Sequence, residues 1–144
     1  MSGSNLLDVH HCLCAALRRA DRMITQFYDA IISPGGLRAT QFTLLATIAE
    51  AAPLPINHLA DLMGMDRTTL TRNLSPLSKQ GWVRIEVGED HRIRVVTLTK
   101  EGRRILAQAQ PLWQQAQSQV LDRLGPQHVE ALLAELSSIS MRNH

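Results

Sequence analysis

The run Arg67-Thr68-Thr69-Leu70-Thr71-Arg72-Asn73 holds two guanidiniums, three hydroxyls and an amide, and no acid. Such groups on the polar N-terminal half of a helix can bond base edges and nearby phosphates, which is the chemistry needed to enter a major groove. Further on, Asp90 stands two positions before Arg92 in the polar run Gly88-Glu89-Asp90-His91-Arg92. A carboxylate so placed can hold an arginine ready for a minor groove, where negative potential is strongest. A third cluster, His10, His11, Cys12, Cys14 and Arg18, offers different chemistry. A thiol beside cations is open to oxidation, while His10 or His11 can share a helical face with Cys14 to hold a soft metal, given further ligands from elsewhere. Packing as small hydrophobes is the alternative role for both cysteines. On a helix they would stand about 200° apart and would not pair with each other without unwinding, although either can pair across an interface between two copies.

Catalytic constellations are a different matter. Pro34-Gly35-Gly36 does not continue into a phosphate-cradling loop, and neither a nucleophile elbow nor a His-Glu-x-x-His motif occurs. The six histidines are scattered, and only His10 and His11 have neighbouring ligands. The expectation is a chain that is not an enzyme, with no cofactor and no resident metal.

Periodicity shows what must position these groups. Apolar residues recur at three or four positions through Leu6, Val9, Leu13, Leu17, Ala20, Ile24, Phe27 and Ile31, one face of a long first helix. Cys12, Cys14, Ala16, Met23, Tyr28 and Ile32 widen the stripe so far that it needs several neighbours, and a second copy of the chain is the simplest source. After the breaker Ser33-Pro34-Gly35-Gly36, a second helix is predicted over Ala39–Ala51 with Phe42, Leu45, Ile48 and Ala49 buried, and Pro55 opening the next helix at its first position. Residues Ile56–Met63 then form a short helix, Gly64 suits a left-handed cap, and Asp66 can N-cap a helix running to about Gln80.

Ala60, Gly64 and Met65 fall in the order that a helix-turn-helix requires, with Leu59, Leu70, Leu74 and Leu77 as packing. Pro76 should bend the second helix of that pair rather than stop it. Trp82–Val87 and Ile93–Leu98 read as two strands joined by the polar tip: a wing, or else a plain hairpin whose charges keep its edge soluble. Thr99 caps a last long helix to about Leu124, kinked at Pro111, and Gly125-Pro126 restarts a helix carrying Val129, Leu132, Leu133, Leu136 and Ile139.

With 144 residues, 44% hydrophobic and only 3% aromatic, the chain suits one domain of closely packed helices and not an all-β fold. The expected class is mainly α with a small β-hairpin wing: a winged helix-turn-helix over about 37–100, between dimerisation helices over about 1–35 and 103–144. Residues 66–104 carry nine basic against five acidic side chains, a net +4, whereas the remainder carries six against eight, a net −2. A basic segment in a slightly acidic chain fits docking on phosphates, and a solvated surface is the plainer reading. No apolar stretch reaches the roughly 20 residues of a membrane span, the start lacks a secretory signal, and two closely spaced cysteines make no disulfide framework. The expected compartment is the cytoplasm, with no membrane partner.

Taken together, Gly36-Leu37-Arg38-Ala39-Thr40-Gln41-Phe42-Thr43-Leu44-Leu45, the stretch Leu59 through Arg72, Leu77-Ser78-Lys79-Gln80-Gly81-Trp82-Val83, and Glu89-Asp90-His91-Arg92 through Leu98-Thr99-Lys100-Glu101-Gly102 resemble the MarR family of bacterial winged helix-turn-helix regulators. The resemblance implies a homodimer with interlocked terminal helices, each recognition helix in a major groove of a roughly palindromic double-stranded operator, and each wing reaching the neighbouring minor groove. Thr68, Thr69, Thr71 and Arg72 would then read bases or nearby phosphates, with Arg92 and Arg94 serving the wing. Thr40 and Gln41 match backbone-contact positions, since a helix N-terminus offers amides to phosphate, or else simply cap their helix. The implied role is a regulator, a repressor more than an activator, released by a small phenolic or aromatic carboxylate. Cys12 lies close to the position where peroxide-sensing relatives keep their thiol, but Ala39 stands where a supporting tyrosine would be sought. The alternatives are a redox- or metal-sensing regulator, and a winged helix that binds protein instead of DNA.

Overall fold

The computed structural model describes residues 5–139. Its elements are α1 (Leu13–Ile32), α2 (Ala39–Ala51), β1 (Leu54–Pro55), α3 (Ile56–Met63), α4 (Arg67–Lys79), β2 (Val83–Val87), β3 (Arg94–Leu98), α5 (Lys100–Leu124) and α6 (Pro126–Ser137). The fold is therefore mainly helical with a small antiparallel wing, as the periodicity predicts.

The first helix starts later than its apolar spacing implies. Asn5 Oδ1 accepts from the Leu7 N–H and Asp8 Oδ1 from the His10 N–H, so these side chains bond local backbone that a helix would otherwise use. A single 3-10 turn, Val9–His11, results, and Cys12 is the extended residue before α1. The expected 200° separation of the cysteines does not apply, because Cys12 stands outside the α-helix.

In α2 the ends fall as expected, but Leu44 is buried and Ala49 is exposed. The helix is flanked by α1, α3, α5 and β3, so its buried arc is set by several neighbours rather than by one stripe. Strand β1 is an element the sequence reading lacks. Leu54 pairs with Val96 and Pro55 with Val95, and the proline, having no N–H to give, sits on an edge strand. Pro55 is consequently the residue before α3 and not its first helical position.

Gly64 adopts φ 65°, a left-handed conformation that turns the chain from α3 into α4. Neither internal proline breaks its helix: Pro76 and Pro111 are exposed, α4 continues to Lys79 and α5 to Leu124. Strand β2 pairs with β3 in the register Val83 to Leu98 through Val87 to Arg94, giving the order β1-β3-β2. Both strands begin one residue later than expected, and Val87 is exposed, because the sheet runs out beyond the helices that cover Val83.

One core joins Ile32, Leu37, Phe42, Leu45, Ile48, Leu59, Leu70, Leu74, Leu77, Val96 and Ala109, with Phe42 stacked on Trp113 at 5.7 Å. The chain ends contribute little to it. Leu6, Leu7, Val9 and Leu13 before and within the start of α1, and Leu132, Leu133 and Leu136 on α6, are exposed. Among the described residues no helix is long and apolar enough to cross a membrane.

Candidate nucleic-acid interface

At the start of α4, Asp66 accepts from the Thr69 N–H at 2.7 Å and from the Thr69 hydroxyl at 3.0 Å. The backbone bond first, and then the hydroxyl bond, hold its carboxyl below the ordinary carboxylate value. The same bonds commit Thr69 to its own cap. Asn73 is likewise turned inward, its amide donating to the Thr69 carbonyl at 2.8 Å. At 100° per residue these two lie on one flank of α4, whereas Arg67, Thr68, Thr71 and Arg72 lie across the opposite arc and are exposed.

That arc continues further than the sequence reading took it. Arg67, Thr71, Ser75, Ser78 and Lys79 line one side of a groove of about 660 Å³, closed by Ile85 and Arg94 of the wing. Three cations and three hydroxyls thus border a hollow with no acid in its lining. Ser75, Ser78 and Lys79 are absent from the sequence-derived set. Their spacing carries the signal, since they extend the polar face of Thr71 at helical spacing past Pro76 to the end of α4.

At the wing tip Arg92 donates through Nε to Asp90 Oδ1 at 3.1 Å and through Nη2 to Oδ2 at 3.0 Å, while its backbone N–H bonds the same carboxylate. This two-point bond depresses the Asp90 carboxyl and raises the guanidinium. Arg92 is held but still 89% exposed, so its outer face can meet a phosphate or a groove edge.

Where α2 begins, the half-buried Gln41 accepts from the Arg38 N–H through Oε1 at 2.9 Å. The capping alternative is the one this geometry favours. Thr40 is exposed, and Thr43 donates to its carbonyl at 3.1 Å. A separate hollow of about 280 Å³ lies between α1, α2 and α5, lined by Ile24, Thr25, Tyr28, Ala39, Thr40, Thr43 and Trp113. Tyr28 donates to Gln117 there, and partial burial raises its phenol pKa.

Cys12 and Cys14 are free and exposed within the single chain. His10 and His11 lie on the preceding turn and Arg18 on α1. Among the described residues no group of three or more His, Cys, Asp or Glu side chains converges to hold a metal.

Residues 35–93 match the model of the MarR family. The uncharacterized HTH-type transcriptional regulator YwoH of Bacillus subtilis (strain 168) is 28% identical over 93 residues, 65% of this chain and 68% of that protein. Among solved structures, the M. tuberculosis transcriptional regulator MosR in complex with DNA is 40% identical with a TM-score of 0.79, over 87% of this chain and 92% of that one. A cysteine-to-serine mutant of E. coli MarR complexed with operator DNA is 26% identical, also with a TM-score of 0.79, over 93% and 97%.

Proposed function

The chain belongs to the MarR family of transcriptional regulators, and from that premise we propose that it binds a palindromic DNA operator as a homodimer and represses the adjoining promoter. The observation that carries this reading is the acid-free groove between α4 and the wing, bordered by Arg67, Lys79 and Arg94. A duplex presenting a phosphate strand to that groove would bring Thr68, Thr71 and Arg72 to the major groove and Arg92 to the neighbouring minor groove. Two of the solved relatives are themselves in complex with DNA, which supports a DNA ligand for this chain.

Dimerisation is the reading that best accounts for the exposed leucines of the first residues and of α6. Burying them against a second copy would remove an apolar surface that water otherwise meets. The terminal regions, about 1–35 and 103–144, then form the dimer body and residues 37–100 the reader, working on DNA in the cytoplasm. The hollow between α1, α2 and α5 is a fitting place for a phenolic or aromatic carboxylate effector, which would release DNA by binding one arrangement of these helices better than another.

A second reading, thiol-based input, is favoured by one observation: Cys12 is the non-helical residue before α1 and Cys14 lies two positions on, both exposed. A peroxide could take two electrons from two such thiols, leaving a disulfide with water and an alcohol as the reduced products. Selection from a randomised duplex pool tests the main reading. Enrichment of an inverted repeat is expected, and recovery of unrelated sequences would leave the winged helix to a protein partner. Repeating the binding after peroxide, with a Cys12→Ser, Cys14→Ser variant beside the parent, separates the two inputs.

A further inference from the structure

Helix α2 begins on a residue that cannot cap it. The position before its first turn is Arg38, whose side chain carries donors only, whereas an N-cap must accept from the free amides of the first turn. One of the four amides is met by Gln41 reaching back to the Arg38 N–H. A second acceptor comes from a different helix. Asp29, in the last turn of α1, accepts from the Ala39 N–H through Oδ1 at 2.7 Å across the partly buried junction.

We propose that Asp29 is a positioning residue for DNA recognition, fixing the angle between α1 and the reader by capping α2 from the neighbouring helix. This rests on the DNA-binding reading above. A carboxylate at a helix N-terminus combines a charge-assisted bond with a favourable dipole, so the contact is short and directional. The joint itself is short, with Ser33-Pro34-Gly35 making one 3-10 turn and Gly36 following at φ 90°, and it packs on α5. Leu37 is the buried anchor between that glycine and α2. Helix α2 packs on α1, α3, α5 and β3, so the Asp29 cap acts with these contacts in setting the angle at which α2 presents the reader. In a dimer a change in that angle changes the separation of the two α4 helices, which must match successive turns of duplex DNA. The arrangement also means that the first amide of α2 is already occupied and is not an open phosphate site.

The test compares Asp29→Ala and Asp29→Asn with the parent, in a background where Cys12→Ser and Cys14→Ser free the chain for labelling. Spin labels at Arg22→Cys on α1 and His58→Cys on α3 report the joint within one chain. The expected result for Asp29→Ala is a broader distance distribution and about a tenfold loss of affinity for the selected operator, the scale of a lost cap. Its salt dependence should match the parent's, because no phosphate contact is removed. Asp29→Asn, which keeps the accepting oxygen, should restore both readouts. A distance distribution in Asp29→Ala as narrow as the parent's would overturn the proposal. So would operator binding equal to or tighter than the parent's. A parent that binds no duplex specifically would refute the DNA-binding reading instead, and the distance measurement would still decide the cap.

Discussion

Arg72 and Thr69 stand three residues apart on α4 and have different fates. Arg72 is exposed on the outer arc, while the Thr69 hydroxyl and N–H both serve Asp66. Arg72→Ala is therefore expected to cost about 1–3 kcal/mol of specific DNA binding, as for a lost base contact. Thr69→Val should act mainly on stability through the weakened cap, and titration calorimetry with thermal melts will tell the two apart. Arg92→Ala should weaken specific and generic binding alike and lower the salt slope by about one. Acid dependence follows from the same carboxylates. Asp66 and Asp90 have folded-state values below the ordinary ones, so their stabilisation is present above the ordinary carboxylate value of the unfolded chain and is lost as pH falls through the depressed folded values. Melts of the parent and of Asp66→Asn should differ at neutral pH and converge in strong acid. The bidentate Asp90–Arg92 tip was legible from two letters and a spacing. The inward turn of Thr69 and Asn73 was not, since type and spacing do not say which partner a hydroxyl or amide has chosen.

Elements defined by strong local signals were legible almost to the residue: α2, α3 and the start of α4 are bounded by proline, glycine and an Asp cap. Those fixed by distant partners were not. Two-residue β1 exists only because Val95 and Val96 of β3 pair with it, and the turn before α1 exists because Asn5 and Asp8 bond backbone locally. The junction of wing and α5 shows how such tertiary bonds carry function. The Thr99 hydroxyl donates to the Gly81 carbonyl at 2.5 Å and accepts from the Gly102 N–H at 3.0 Å, tying the end of α4 to the first turn of α5. A Cβ at Gly102 would overlap the Trp82 carbonyl oxygen. Gly102→Ala is expected to destabilise the fold by about 1–3 kcal/mol, read from the shift of the urea midpoint at constant slope. An unchanged midpoint would mean that α5 can slide away from the wing without cost.

At the scale of the whole molecule, two groups of exposed leucines stand out among the described residues: Leu132, Leu133 and Leu136 on α6, and Leu6, Leu7 and Leu13 with Val9 near the start. Their spacing was visible in the sequence, but a sequence cannot say whether a helical stripe faces its own core or another copy. Leu133→Glu with Leu136→Glu should convert a dimer to a monomer in sedimentation and lower operator affinity at least 100-fold, since each half-site alone keeps only part of the contact energy.

The central claim, that the α4–wing groove serves sequence-specific DNA binding, is tested most directly by fluorescence anisotropy. The probe is a labelled duplex from immediately upstream of this chain's own gene, titrated with the protein in excess non-specific DNA, with Arg67→Ala, Lys79→Ala beside the parent. The account predicts saturable, competitor-resistant binding with a steep salt dependence for the parent, and a shallower one for the variant. Binding that competitor abolishes, or a variant indistinguishable from the parent, would contradict it.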